Sequence, residues 1–116
     1  MNRLDKIEAR ANAATEGPWM GIRYPDGFLG RVIGGNGFGV AEDFPDDADA
    51  EFIAHARTDV PALVAALRAV LNLHFKAQPI PAAFGTQEGG DYCVTCAEDW
   101  PCPTVTAIRQ HLGEGV

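Results

Sequence analysis

Three cysteines, Cys93, Cys96 and Cys102, are all the cysteines of this 116-residue chain, and they lie in one run, Y-C-V-T-C-A-E-D-W-P-C-P-T. A C-x-x-C turn followed by a third thiol is typical of metal ligands, because two thiolates share a turn and the third arrives from the next element. Structural zinc takes four ligands in a tetrahedron. The spacing therefore predicts a zinc site in the C-terminal third of the chain, completed by one more side chain.

Four side chains are candidates for the fourth ligand. His74 lies at the C-terminal end of a predicted long helix, on its apolar face, where a metal-binding loop that folds back would meet it. His111 follows Cys102 by nine residues on a predicted final helix, and Asp91 and Asp99 offer oxygen atoms. Imidazole and carboxylate groups are both known zinc ligands. Spacing alone leaves these alternatives open.

Two other interpretations of the cysteines compete with zinc. Free cysteines are often buried as small apolar residues, which accounts well for one or two thiols and poorly for three clustered ones. The C-x-x-C pair also permits thiol redox chemistry, since a cysteine at a helix N-terminus has a lowered pKa. The pair does not lie in the βαβ pattern that surrounds thioredoxin-like motifs, however. A thiol redox protein stays an alternative.

The predicted zinc site has a structural role and no catalytic one. Three cysteines and one histidine fill the tetrahedron and leave no position for a reactive water, so the metal contributes to folding. Zinc deaminases need an H-x-E pair before P-C-x-x-C, and both His55 and His74 lack that glutamate. No nucleophile, acid and base can be paired from spacing. We assign no catalytic residue and predict that the protein is not an enzyme.

The composition limits the partners. The chain carries 9 basic and 16 acidic residues, with a formal net charge of -7, and the basic residues are scattered. Nucleic-acid affinity depends on clustered Lys and Arg, so no nucleic-acid partner is expected. No apolar run is long enough to span a bilayer, and the mixed-charge N-terminus is unlike a signal peptide. We expect a cytoplasmic protein without a membrane partner, in a compartment where thiols stay reduced.

The first half of the chain predicts a helix and then a small sheet. Residues 2–15 place Leu4, Ile7 and Ala11 on one helical face. Residues 19–43 contain three short apolar runs separated by P-D-G and G-G-N-G, which are turn sequences. Asn36-Gly37 suits a tight hairpin. This pattern predicts a three-stranded antiparallel meander.

The second half predicts more helices around a loop. Acidic residues after Phe44 favour a helix start, and R-T-D-V-P then indicates a break, with Thr58 as an N-cap and Pro61 in the first turn of a fresh helix. Apolar stripes are expected at 52–56 and, as the centre of the core, at 60–74. Residues 76–90 read as a loop. A short helix is expected to begin at Pro103.

These elements predict an α+β fold, in which a small three-stranded antiparallel meander packs on helices and a zinc knuckle lies near the C-terminus. We expect a single domain over residues 1–116. Within it, residues 1–75 form the core, residues 76–90 form the loop, and residues 91–116 form a zinc-stabilised segment.

Several motifs carry a resemblance to known proteins. A-T-E-G-P-W at 14–19, D-A-E-F-I-A-H-A-R-T-D-V-P-A-L-V-A-A-L at 49–67 and the tail C-x-x-C…W-P-C-P-T-V resemble small uncharacterised proteins encoded by phages and prophages of actinobacteria. The first and second motifs also resemble Ead-like accessory proteins from the early regions of lambdoid phages. This sequence has Glu16 where the first motif commonly has proline. In similar tails a histidine near the end of the long helix precedes the cysteines, which favours His74.

The resemblance implies a phage accessory protein that acts on the host and brings no catalytic residues with it. The expected function is binding and modulation of a host factor. The alternative is a counter-defence protein that sequesters a small nucleotide-like immune signal, in a pocket lined by Arg23, Arg31 and the glycine-rich run 34–39. A homo-oligomer is possible, because the edges of the meander can pair or be covered.

Overall fold

The computed structural model describes residues 1–78 and 90–116 and has an α+β architecture, as predicted. The elements are α1 (Arg3–Ala13), β1 (Met20–Arg23), β2 (Leu29–Ile33), β3 (Gly39–Glu42), α2 (Asp47–Leu73), β4 (Lys76–Ala77), β5 (Tyr92–Cys93) and α3 (Pro103–Leu112). Strands β1, β2 and β3 form the predicted antiparallel meander, and β4 pairs with β5 in a second sheet that the sequence did not predict.

The chain divides into two compact units. One unit contains residues 1–6 and 65–116, and the other contains residues 7–64. We call them the metal unit and the sheet unit, since the cysteines belong to the first and the meander to the second. The predicted single domain over residues 1–116 stays a prediction.

In the sheet unit, the meander packs on the first half of α2. Leu29 and Val32 of β2 are buried against Ala50 and Ala54 of α2. Leu29 and Val32 are an odd number of positions apart and would point to opposite faces of a regular strand, but a β-bulge at Gly30 allows both to reach the same core. Alanines on the helix face let the sheet approach closely. The prediction of a meander packed on helices is confirmed.

The acidic start of α2 holds the helix to the meander. Asp46 accepts the backbone N–H of Ala48 through Oδ1 at 2.8 Å, and one carboxylate oxygen of Asp47 accepts the backbone N–H of Leu29 at 3.1 Å. Its other oxygen pairs with Arg23 at 3.3 Å. At the N-terminus of α2, carboxylates accept hydrogen bonds from free N–H groups and interact favourably with the positive end of the helix dipole. The predicted acidic helix start is therefore observed, with a second role in fixing β2.

The predicted break in the helix is wrong, because α2 runs without interruption through Pro61. Thr58 lies inside the helix and is therefore not an N-cap. Proline removes one hydrogen bond, but at 100° per residue Ala50, Ala54 and Val64 all fall on one face, and all three are buried. An uninterrupted helix keeps these three residues on one buried face, and their packing offsets the lost hydrogen bond. Among the described residues, no helix combines the length and apolar content needed to cross a membrane.

The apolar stripes are also partly wrong. Phe52 is 75% exposed and Leu63 is 64% exposed, although both were expected to face the core. Each lies roughly opposite Ala50 on the helical wheel, because at about 100° per residue Phe52 is rotated from Ala50 by about 200° and Leu63 by about 220°. In the first half of this helix, Ala50 and Ala54 face inward and Phe52 faces outward. A pattern that weights large apolar residues therefore misplaces Phe52 and Leu63, while Val64 lies on the buried face as expected.

The predicted loop over residues 76–90 is wrong at its start, where Lys76 and Ala77 form β4 and pair with Cys93 and Tyr92. A two-residue strand has no period to detect, and only the partner strand specifies it. Of the rest of the predicted loop, residues 79–89 lie outside the described residues.

In the metal unit, the N-terminus of α1 is closed by a reciprocal pair of hydrogen bonds. Asp5 donates its backbone N–H to Asn2 Oδ1 at 2.8 Å, and Asn2 donates its own to Asp5 Oδ2 at 3.2 Å. This is a capping box. The carboxylate also accepts a 2.7 Å bond from Arg68. The Arg68 guanidinium first, and the Asn2 N–H second, lower the pKa of Asp5 below its ordinary value.

We expect Asp5→Asn to lower the free energy of unfolding at pH 7, because the carboxylate is favoured in the folded state. A lowered folded pKa contributes stability that is fully present above the unfolded value of about 3.9 and is lost as pH falls through the folded value. The difference between parent and variant should therefore be constant above about pH 5 and shrink below it. Denaturant titrations of both proteins at each pH measure it, and an equal difference at all pH values would contradict the assignment.

Candidate metal centre

The end of α2 positions His74, the first member of the site. The helix ends at Leu73, and the backbone N–H of His74 still bonds to Val70 O at 3.1 Å, so the imidazole extends from the last turn. Val94 donates its N–H to Phe75 O at 3.0 Å, and the hydroxyl of Thr95 donates to Leu73 O. These bonds, together with the pairing of β4 and β5, bring the C-x-x-C segment against the end of the helix.

A tight turn shapes the C-x-x-C segment itself. Ala97 donates its backbone N–H to Cys93 O at 2.9 Å, and Cys93 donates to Glu98 O at 2.8 Å. Ala97 adopts a φ of 62°, in the left-handed region that closes the turn. The backbone thereby wraps around Cys93 and Cys96. Two thiols on one such turn point toward a common centre.

The third thiol comes from the start of α3. Cys102 is the N-cap residue of this helix and Pro103 holds its first turn, as predicted. Thr106 donates its N–H to Cys102 O at 2.9 Å, which fixes the cysteine at the helix end. Cys93, Cys102 and Val105 are fully buried, and Leu71 and Trp100 pack around them. Two of the three thiols therefore belong to the small core of the metal unit.

Four ligand atoms converge in this way. The side chains are His74, Cys93, Cys96 and Cys102, and their ligand atoms lie within 4.8 Å of one another. We call them the His/Cys cluster. His74 Nδ1 is 3.5 Å from Cys93 Sγ and 3.7 Å from Cys102 Sγ. A tetrahedron with Zn–S of about 2.3 Å and Zn–N of about 2.05 Å requires S···N separations of about 3.6 Å. The His/Cys cluster can hold a metal ion.

The surroundings of Cys93 favour its thiolate, which is the form that binds a metal ion. Burial raises the pKa of its thiol. Hydrogen bonds from the backbone N–H groups of Cys96 and Thr95, and from the Cys96 and His74 side chains, outweigh this effect and lower the pKa to about 6. For Cys96, the backbone N–H of Glu98 lowers the pKa, and burial together with the other two cysteines raises it to a net increase. A cation at the centre would stabilise all three thiolates, which are the metal-binding form.

The structure brings only one of the four candidate fourth ligands into the group. Within the part of the chain that is described, His74 joins the cysteines, and Asp91, Asp99 and His111 do not. Asp91 pairs with Lys76 at 3.6 Å, and Asp99 and His111 are exposed. The sequence did not predict the hydrogen bond from Thr95 to Leu73 O or the β4–β5 pairing, which together hold the cysteines against the end of α2. Neither feature has a sequence periodicity that could reveal it.

Comparisons of this chain with protein-family models, with curated proteins and with solved structures give no match. The chemistry of the site therefore rests on its own residues and their geometry.

The residues expected to line a nucleotide pocket have other surroundings. Arg23 donates to Gly27 O at 2.8 Å and pairs with Asp47. Arg31 lies opposite Glu42 in the register of β2 and β3. The glycine-rich run closes a hairpin turn through the bond from Gly37 N–H to Gly34 O at 3.0 Å. Arg23 therefore forms an ion pair with the start of α2, and the glycine-rich run forms the hydrogen bond of a hairpin turn.

Proposed function

We propose that the chain binds one zinc ion through the His/Cys cluster. The observation that carries the proposal is the convergence of the four ligand atoms, in which the distances from His74 Nδ1 to Cys93 Sγ and Cys102 Sγ match the N···S edges of a zinc tetrahedron. The donor set supports this metal, since thiolate and imidazole ligands suit zinc, whereas magnesium and calcium prefer oxygen. Two fully buried thiols also exclude water from one side of the ion. The ligands would be Cys93, Cys96, Cys102 and His74.

The zinc has a structural role in this proposal. Four protein ligands complete the tetrahedron and leave no position for a substrate or a reactive water. The ligands come from the end of α2, from β5 and its turn, and from the start of α3. One ion therefore links three short elements whose shared core is small. Its binding free energy is folding free energy for this unit.

The biological role that we propose is a non-enzymatic accessory protein of phage origin, which binds and modulates a host protein in the cytoplasm. The resemblance of the three motifs to phage accessory proteins supports it. Exposed aromatic side chains on the sheet unit add to that support, because Phe28, Phe38 and Phe52 are 66%, 74% and 75% exposed. Aromatic residues are enriched at protein interfaces, where they supply large apolar contacts.

Metal analysis of protein purified under reducing conditions without chelator tests the zinc proposal. Native mass spectrometry and elemental analysis of the same sample should give one zinc ion per chain. The matched control is the Cys93→Ser, Cys96→Ser double variant, which should carry none. Metal-free parent protein with an ordered C-terminal segment would overturn the proposal.

A pull-down from host lysate tests the proposed role. A host protein retained in stoichiometric amount by the parent should be lost by at least one of Phe28→Ser, Phe38→Ser and Phe52→Ser. Leu63→Ser serves as the control, because Leu63 is also an exposed apolar residue. Each variant must keep its zinc, which shows that the metal unit is folded. Catalytic turnover of a captured partner, instead of stable binding, would contradict a non-enzymatic role.

A further inference from the structure

A cavity of about 240 Å³ opens between α1 and α2 within the sheet unit. Its walls are mostly apolar, with Ile7 and Ala11 from α1 and Val60 and Pro61 from α2, and Trp19 beside them. Arg10 and Arg57 also line it. We propose that this cavity binds a small aromatic carboxylic acid, with the ring against the apolar wall and the carboxylate on the two arginines. This site shares no residue with the metal centre and goes beyond the proposed function.

One wall of the cavity is fixed in place by a shared hydrogen-bond acceptor. The carbonyl oxygen of Thr15 accepts the indole N–H of Trp19 at 2.8 Å and the Nε–H of Arg57 at 3.0 Å. Thr15 and Trp19 belong to the A-T-E-G-P-W motif, and Arg57 belongs to the A-R-T-D-V-P motif. Two segments that the sequence singles out thus meet at this wall. An aromatic face and a cation are held there before any ligand arrives, which lowers the entropy cost of binding.

The charges at the cavity favour an anion. Among the described residues, neither Arg10 nor Arg57 lies within ion-pairing distance of a carboxylate, although Arg23, Lys76 and Arg109 each pair with one. Within the described part of the chain, the Arg57 side chain hydrogen-bonds to a neutral carbonyl through its Nε–H, and its terminal nitrogens are left for a ligand. Two arginines that pair with no carboxylate of the described residues therefore place positive charge at this cavity, although the chain has a net charge of -7. Guanidinium groups bind carboxylates through paired, charge-assisted hydrogen bonds.

The volume limits the ligand to a small ring system. A cavity of about 150 Å³ lined by apolar side chains accommodates benzene. The present cavity, at about 240 Å³, therefore has space for a bicyclic ring and one carboxylate. Trp19 offers a flat surface on which such a ring can pack. The guanidinium groups of the two arginines can also stack on the ligand ring. The chemical class that fits is an aryl carboxylate of roughly indole size.

The test uses the zinc-loaded full-length protein and the probe indole-3-carboxylate, with indole as the uncharged comparison. Nuclear magnetic resonance of the ¹⁵N-labelled protein follows the indole N–H of Trp19 during each titration. We expect a saturable shift with indole-3-carboxylate and affinity about tenfold weaker for indole, since a charge-assisted bond contributes that much. Arg10→Gln should weaken the acid about tenfold and leave indole unchanged.

Arg3→Gln is the matched control, because Arg3 lies on the same helix and donates to His111 O, outside the cavity. It should bind the acid as the parent does. Arg57→Lys keeps the charge but loses the fork geometry, and it should bind the acid less tightly than the parent. The proposal is overturned if indole and the acid bind equally, if neither shifts Trp19 at millimolar concentration, or if Arg10→Gln binds as tightly as the parent. None of these outcomes affects the zinc measurement.

Discussion

Replacing Cys96 by serine is expected to release the zinc ion and unfold residues 91–112, while helical residues 58–74 stay largely intact. The serine hydroxyl does not ionise at neutral pH, so the tetrahedron loses one ligand. Cys96 is exposed, and an exposed substitution of this kind ordinarily changes stability by about 0.5 kcal/mol or less. A loss of about 4 kcal/mol or more in the metal unit would therefore report the metal and not a packing defect.

Hydrogen exchange of the two proteins, resolved by peptide, measures this effect. Protection of residues 91–112 should fall in Cys96→Ser and in parent protein treated with a chelator under reducing conditions. Glu98→Ser, at an exposed neighbouring position, should exchange as the parent does. Strands β1, β2 and β3 serve as the internal reference, because they belong to the other unit. Equal protection of residues 91–112 in variant and parent would show that zinc does not order this segment.

The contrast between the two halves of the metal site shows what spacing can predict. The C-x-x-C turn and the cysteine before Pro103 are local features, because each ligand is positioned by its own few residues. The fourth ligand is not local. His74 reaches the thiols because Lys76 pairs with Cys93, and that pairing depends on two strands of two residues each. Spacing alone therefore could not choose the fourth ligand among His74, His111 and two aspartates.

The meander and α2 show a similar division. Turn sequences such as Asn36-Gly37 specify hairpins through backbone conformation, and the three predicted strands are present. The helix was harder to interpret, because two local signals opposed the tertiary structure. Proline at position 61 favoured a break, and Phe52 favoured burial. Packing of Ala50 and Ala54 on β2 favours both the continuous helix and the exposure of Phe52. That contact joins residues about twenty positions apart in the sequence.

Replacing His74 is expected to change zinc affinity according to the substituted side chain. His74→Ala removes one ligand and should weaken zinc binding more than about 100-fold, since changes outside the ligand set already cost 10–100-fold. His74→Cys should retain the ion, because four thiolates also form a tetrahedral structural site. The cysteine side chain is shorter than histidine, so we expect affinity between those of the parent and the alanine variant. Competition with a zinc-binding dye measures all three.

His111→Ala is the matched control, since it removes the other histidine available on an exposed face of this unit. It should bind zinc as tightly as the parent. Rescue by His74→Cys separates ligation from packing, because a residue that only fills space would not regain zinc affinity through a thiol. If His111→Ala loses the metal and His74→Ala keeps it, the fourth ligand comes from α3, and the β4–β5 pairing does not position the site. Retention of full affinity by both variants would instead point to an oxygen ligand, and Asp91→Asn and Asp99→Asn would then identify it.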